Sequence, residues 1–187
     1  MVRQAPRLSP GTAEGGCTTI TFVKPQKITA KDLHITKRKL PHWQIGGSCY
    51  FVTFSATNLE LTPEARDIIA DSILIPHKKL YLLSIAAIMP DHVHLLFRPF
   101  KKDDDTYYSL QEILQPIKSS TSHRINRLLG RKGVLWLAET YDRVIRNEKE
   151  WVEKYDYITN NAVKSGLVEK PEDYPWLLER DDFLKRY

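Results

Sequence analysis

Hydrophobic and polar positions change their spacing several times along the chain, and each change marks an element. The run CYFVTFSAT from Cys49 to Thr57 is rich in aromatic and β-branched residues and predicts a first strand. Thr62, Pro63 and Glu64 supply an N-cap, a first-turn proline and a first-turn acid ahead of Ala65, Ile68, Ile69 and Ile73, which predicts a helix ending before His77. LYLLSIAAIM, from Leu80 to Met89, is almost wholly apolar, and HVHLLFRP follows directly after Pro90 and Asp91. Two strands joined by a tight turn fit that pattern. Ser109 and Glu112 form a capping box that opens a helix towards Leu129, with Pro116 predicting a kink or a late start and Gly130 and Gly133 stopping it. VLWLAETYDRVIR reads as a short irregular strand with its connection. Asn147 and Glu150 form a second capping box that opens a last long helix to about Ser165, with Gly166 as its C-cap. The order β α β β α β α predicts an α+β, ferredoxin-like sandwich, an antiparallel sheet with helices on one face.

The first 40 residues lack steady periodicity and read as an extended or mobile arm, with a folded domain over 41–170 and a tail over 171–187. In that tail Tyr174, Trp176 and Phe183 suit packing on the sheet edge or a cover over an active site. At 187 residues, one compact domain with one site is expected. No apolar run reaches the roughly 18 to 20 residues that span a bilayer, so no membrane role is expected. Cys17 and Cys49 are too few for a disulfide framework, and no apolar leader opens the chain, so a cytoplasmic protein is expected. The formal charge is +5, and residues 1–40 alone hold a net +6, so the basicity is concentrated in the arm. That suits a polyanionic partner or a solubilising extension.

The residues able to carry chemistry are few. His92 and His94 lie two apart on a predicted strand, so both imidazoles share a face while Val93 points away. They fit either two ligands of one metal ion or a hydrogen-bonded pair on a sheet surface. Tyr157 and Asn161 stand four apart on the predicted last helix, on one face, where they can meet one ligand or simply pack and terminate the helix. Arg143 and Arg146 precede that helix. Lys118, Arg124 and Arg127, with His123, decorate the preceding one among Ser119, Ser120, Thr121 and Ser122. These cations fit phosphate contacts or a solvated helix face.

Taken together in this order and spacing, MPDHVHLLF, LWLAETYDRVIRNEKEW and YITNNAVKSGLVEKPEDYPW resemble the REP-associated tyrosine transposases of bacteria, over roughly Leu40 to Trp176. The family's two histidines separated by one hydrophobic residue match His92, Val93 and His94. Its helix motif of tyrosine, isoleucine, two variable residues, asparagine and proline matches Tyr157 to Asn161, with Ala162 in place of the proline. The resemblance implies Tyr157 as nucleophile and His92, His94 and Asn161 as ligands of Mg²⁺ or Mn²⁺. It further implies a 5′-phosphotyrosine intermediate, a freed 3′-hydroxyl and rejoining without ATP, because the covalent bond conserves the phosphodiester energy. A phenol titrates near 10, so a cation is needed to polarise the phosphate at neutral pH. Arg143 and Arg146 match basic family positions, and the implied substrate is a single-stranded DNA hairpin beside an unpaired guide tetranucleotide. The resemblance leaves monomer and homodimer open. The rival readings are a domesticated hairpin-binding protein that no longer cuts and a replication or conjugation relaxase.

Overall fold

The computed structural model describes residues 33–37, 41–103 and 106–180. In chain order it contains β1 (Leu33–Lys37), β2 (Pro41–Ile45), β3 (Tyr50–Ser55), α1 (Pro63–Leu74), β4 (Tyr81–Ile88), β5 (His92–Pro99), α2 (Leu110–Leu128), β6 (Tyr141–Val144), α3 (Glu148–Thr159), α4 (Asn161–Lys164), a 3-10 turn (Pro171–Asp173) and β7 (Leu177–Glu179). From β3 to α3 this is the predicted alternation. The main sheet is antiparallel with strand order β6-β3-β5-β4-β7. Its first four strands in space have the ferredoxin-like arrangement, and β7 extends the β4 edge.

The caps form as the residue types dictate. Thr62 accepts from the Ala65 N–H at 3.3 Å. The Ser109 hydroxyl accepts from the Glu112 N–H at 3.1 Å, while Glu112 accepts from the Ser109 N–H at 2.9 Å. With both first-turn donors satisfied, α2 starts on time despite Pro116, which lies on the exposed side, where the carbonyl it leaves unpaired can meet water.

Two cores sandwich the sheet. Tyr50, Val52, Phe54, Val93, Leu95 and Phe97 point to one face, where α1 and α2 supply Ile69, Ile73, Ile113 and Ile117. Phe51, Ala87 and Leu96 point to the other, where α3 supplies Trp151 and Ile158. Each Val, Leu, Ile or Phe among them contributes roughly 1.5–3 kcal/mol when fully buried. The expectation of helices on one face is therefore corrected: α1 and α2 cover one face and α3 the other. The reason is visible in β4, whose eight residues are all buried. A strand apolar on both sides needs cover on both sides. A register shift between Leu83 and Ile85 reverses the alternation within β4, so Leu83 and Ala86 share one face and Leu82 and Ile85 the other.

Further elements fall outside the predicted set. β1 and β2 form an antiparallel hairpin, so Leu33–Lys37 within the expected arm is strand; the rest of 1–40 lies outside the described residues. The turn after β2 needs glycine at two positions. A Cβ on Gly46 would lie 2.6 Å from the Tyr107 ring, and Gly47 has φ +73°. The described part of the C-terminal tail packs on the β4 edge. There the Tyr174 hydroxyl donates to the Ile88 carbonyl at 2.7 Å, Trp176 Nε1 donates to Asp67 at 2.9 Å, and Arg66 stacks 3.7 Å from the Trp176 ring centre. Phe183 lies outside the described residues.

Candidate functional site

The two histidines enter from β5, and the register pairs His94 with Thr53 and His92 with Ser55 on β3. Both imidazoles emerge on the face covered by α3, as their period of two requires. Their Nε2 atoms are 3.0 Å apart. Each Nδ1 is engaged separately, that of His92 by the Asp91 carboxylate at 2.6 Å and that of His94 by the Thr53 hydroxyl at 2.7 Å. A carboxylate can only accept, so Nδ1 of His92 carries the proton and, in the neutral ring, its Nε2 offers a lone pair. Two such nitrogens facing each other need a proton between them or a shared cation.

The donor set suits a cation. Neighbouring ligands at right angles, with bonds of about 2.1 Å, lie about 3.0 Å apart. His94 is 4% exposed, and burial, reinforced by the adjacent His92 and opposed by Asp91, pushes its pKa from 6.5 down to about 3. It is thus neutral and able to ligate across the physiological range. Among the described residues no group of three or more His, Cys, Asp or Glu could close a metal cage. Two imidazoles fill two positions of a four- to six-coordinate ion, which leaves room for an amide oxygen, water or substrate.

Tyr157 is brought directly to this pair. Its ring centre is 5.2 Å from that of His94 and 5.9 Å from that of Phe51, with both contacts edge-on. Phe51 in turn stacks on His94 at 5.6 Å, so it forms the floor between nucleophile candidate and histidines. Tyr157 is 39% exposed and stays accessible from solvent. Lys164 Nζ lies 5.7 Å from its ring centre.

Asn161 departs from the expected geometry. The last helix is not continuous to Ser165: it breaks at Asn160, whose φ and ψ are −91° and 4°, and Asn161 opens α4. The two residues therefore do not ride one unbroken helical face. Asn161 is nonetheless 8% exposed, between Ile158 and Ala162 of the same core. Its carboxamide oxygen is of a type that can ligate a hard divalent cation.

The basic candidates separate into two groups. Arg143 pairs across the sheet with Phe51, so it shares the histidine face, and its Nε bonds Glu150, which also accepts the Arg146 N–H at 2.9 Å. Arg146 is exposed beside it. Lys118, Arg124 and Arg127 ride α2, across the sheet from the histidines. Lys118 Nζ donates to the Leu137 carbonyl at 2.9 Å and to the Thr140 hydroxyl at 3.1 Å, which ties the 137–140 loop to α2. Arg124 reaches Ser72 at 3.3 Å and Asp71 at 3.8 Å on α1, and Arg127 is exposed in the last turn. The structure thus brings Arg143 and Arg146 to the site's side of the sheet and leaves the α2 cations behind it.

Three side chains that touch the candidate site escaped the sequence reading. Thr53 and Phe51 declare themselves only through cross-strand register. Asp91 stood in plain sight as the residue before His92, read only as part of a turn. A carboxylate that fixes the tautomer of a ligating histidine commonly supports 10- to 100-fold in metal affinity. Asp91→Asn is therefore expected to weaken Mn²⁺ binding by about that factor, read by titration calorimetry. His94 also makes stability pH-dependent. Above pH 6.5 it is neutral in both folded and unfolded chains, while below that the unfolded chain takes up a proton that the folded chain refuses until about pH 3. Denaturant midpoints of the metal-free protein should fall as pH drops through that window, and His94→Gln should show a shallower fall.

No protein-family model matches the chain. It is 33% identical over 94 residues to a putative REP-associated tyrosine transposase of Haemophilus influenzae, covering 48% of this chain and 53% of that protein. It is 26% identical over 137 residues to the REP-associated tyrosine transposase of Escherichia coli, covering 72% of this chain and 78% of the relative. The alignment thus spans about half the length of the first relative and most of the second. Among solved structures, a REP-associated tyrosine transposase bound to a REP hairpin superposes with a TM-score of 0.64 at 21% identity, over 75% of this chain and 82% of that one. That likeness shows a shared fold. Fold and site together define an α+β protein in which paired histidines on a central strand face a helix-borne tyrosine. In sequence the chain is similar to the REP-associated tyrosine transposases of these two bacteria.

Proposed function

We propose that this chain is a metal-dependent enzyme that nicks and rejoins single-stranded DNA carrying a hairpin, with Tyr157 as nucleophile. The observation that carries the reading is the contact of the Tyr157 ring with His94, at 5.2 Å, beside two Nε2 atoms 3.0 Å apart. The names of the two relatives and the hairpin bound in the structural neighbour support it.

His92, His94 and the Asn161 oxygen would hold Mg²⁺ or Mn²⁺, with Mn²⁺ the better match for imidazole. When bound, the cation supplies charge neutralisation and alignment of the scissile phosphate. The Tyr157 oxygen forms a bond to phosphorus as the bond to the 3′-oxygen breaks. The phenolic proton leaves and the 3′-oxygen departs as a hydroxyl. Return of a 3′-hydroxyl onto the phosphotyrosine reverses the balance and frees the phenol. Asp91 and Thr53 hold the imidazoles in register throughout, and Arg143 and Arg146 contact phosphates flanking the break.

The test is a denaturing gel of the protein incubated with labelled single-stranded hairpins and Mn²⁺, with and without EDTA. A covalent adduct that EDTA prevents is expected. Hairpin binding with no adduct under any metal would overturn the cutting reading in favour of a binding protein.

A further inference from the structure

The site has an aromatic neighbour that the chemistry above does not use. Tyr141 begins β6, the edge strand of the main sheet, and is 54% exposed. Its register partner is Thr53 and that of Arg143 is Phe51, so both side chains emerge on the histidine face. The Tyr141 ring centre is 6.1 Å from that of Phe51, whose ring also touches His94 and Tyr157. Tyr141 is thus one ring removed from the nucleophile, yet it adds little to the core. Cations lie on the same side of the sheet: Arg143, two positions along β6 on the same face, and Lys154, whose Nζ lies 5.7 Å from the Phe51 ring centre. Glu150 grips Arg143 through Nε, which fixes the plane of the guanidinium next to the ring.

Resting on the reading of Tyr157 as a DNA nucleophile, we propose that Tyr141 is a stacking platform for an unpaired nucleobase adjoining the scissile phosphate, with Arg143 taking the neighbouring phosphate. An exposed aromatic face interleaved with cations is the arrangement that binds single strands, because every base has a π-face and every linkage a negative charge. A paired base, closed within a duplex stack, cannot reach it. The platform therefore selects for a strand opened at the cutting point and contributes little base identity.

The probe is a deoxythymidine 12-mer carrying a fluorophore, or one 2-aminopurine, titrated with the full chain in EDTA so that no chemistry occurs. One base stacked on one aromatic ring corresponds to roughly 5- to 150-fold in affinity. Tyr141→Ala should lose about that much and abolish quenching of 2-aminopurine, whereas Tyr141→Phe should keep the quenching and most of the affinity. Affinity for a blunt duplex should not move. If wild type binds the 12-mer and Tyr141→Ala binds it equally well, the platform is wrong while the nuclease reading stands. If wild type does not bind the 12-mer, the platform is wrong, and the covalent adduct with hairpin DNA and Mn²⁺ decides the nuclease reading separately. If Tyr141→Ala leaves DNA affinity unchanged but dissociates a dimer in size-exclusion chromatography, the ring belongs to a contact between copies of this chain and the proposal is overturned.

Discussion

Tyr157→Phe is expected to reduce covalent adduct formation by on the order of 10⁴-fold or more while hairpin affinity stays within about twofold of wild type. The substitution removes one oxygen and nothing else. The ring keeps its edge contacts with His94 and Phe51, and the hydroxyl makes no hydrogen bond within the described residues, so neither fold nor site shape depends on it. Loss of chemistry without loss of binding separates a nucleophile from a packing tyrosine. Single-turnover gels and fluorescence anisotropy read the two quantities independently.

His94→Ala is expected to lower the cleavage rate by about 10³-fold and to weaken Mn²⁺ binding too far for calorimetry at micromolar protein, because one of two imidazole donors is lost. Some of this loss has another origin. His94 is 4% exposed, and its removal leaves the Thr53 hydroxyl unpaired and a gap beside Phe51. Circular dichroism and a denaturant midpoint measure that structural share. Millimolar Mn²⁺ should restore part of the rate to His94→Ala and none to Tyr157→Phe, since mass action can refill a weakened metal site but cannot supply a missing oxygen.

Much of the fold was legible because its signals are local. The caps at Thr62, Ser109 and Asn147 each accept the backbone bond their residue types predict, but the box expected at Asn147 does not close, because the Glu150 carboxylate accepts from the Arg146 N–H and Arg143 instead. The histidine pair was legible too: a strand period of two puts His92 and His94 on one face wherever that strand lies. Other features depend on long-range packing. The unbroken apolar run in β4 already argued for cover on both faces, but periodicity could not say which helix would cross to the second one. The break at Asn160 carries no glycine or proline to announce it, and Ala162 stands where a proline would have marked it. β7, three residues long, is defined by its pairing with β4 rather than by its own pattern. The α2 cations looked equivalent to Arg143 and Arg146 in sequence. Only the layer order shows that a sheet lies between them and the histidines.

The most direct measurement is to digest the covalent complex with trypsin and nuclease and locate the residual nucleotide by mass spectrometry. The account predicts a nucleotide attached through a 5′-phosphate to Tyr157 in the peptide that runs from Tyr155 to Lys164. A nucleotide on any other residue, or release of a 5′-phosphorylated strand with no protein attached, would contradict it.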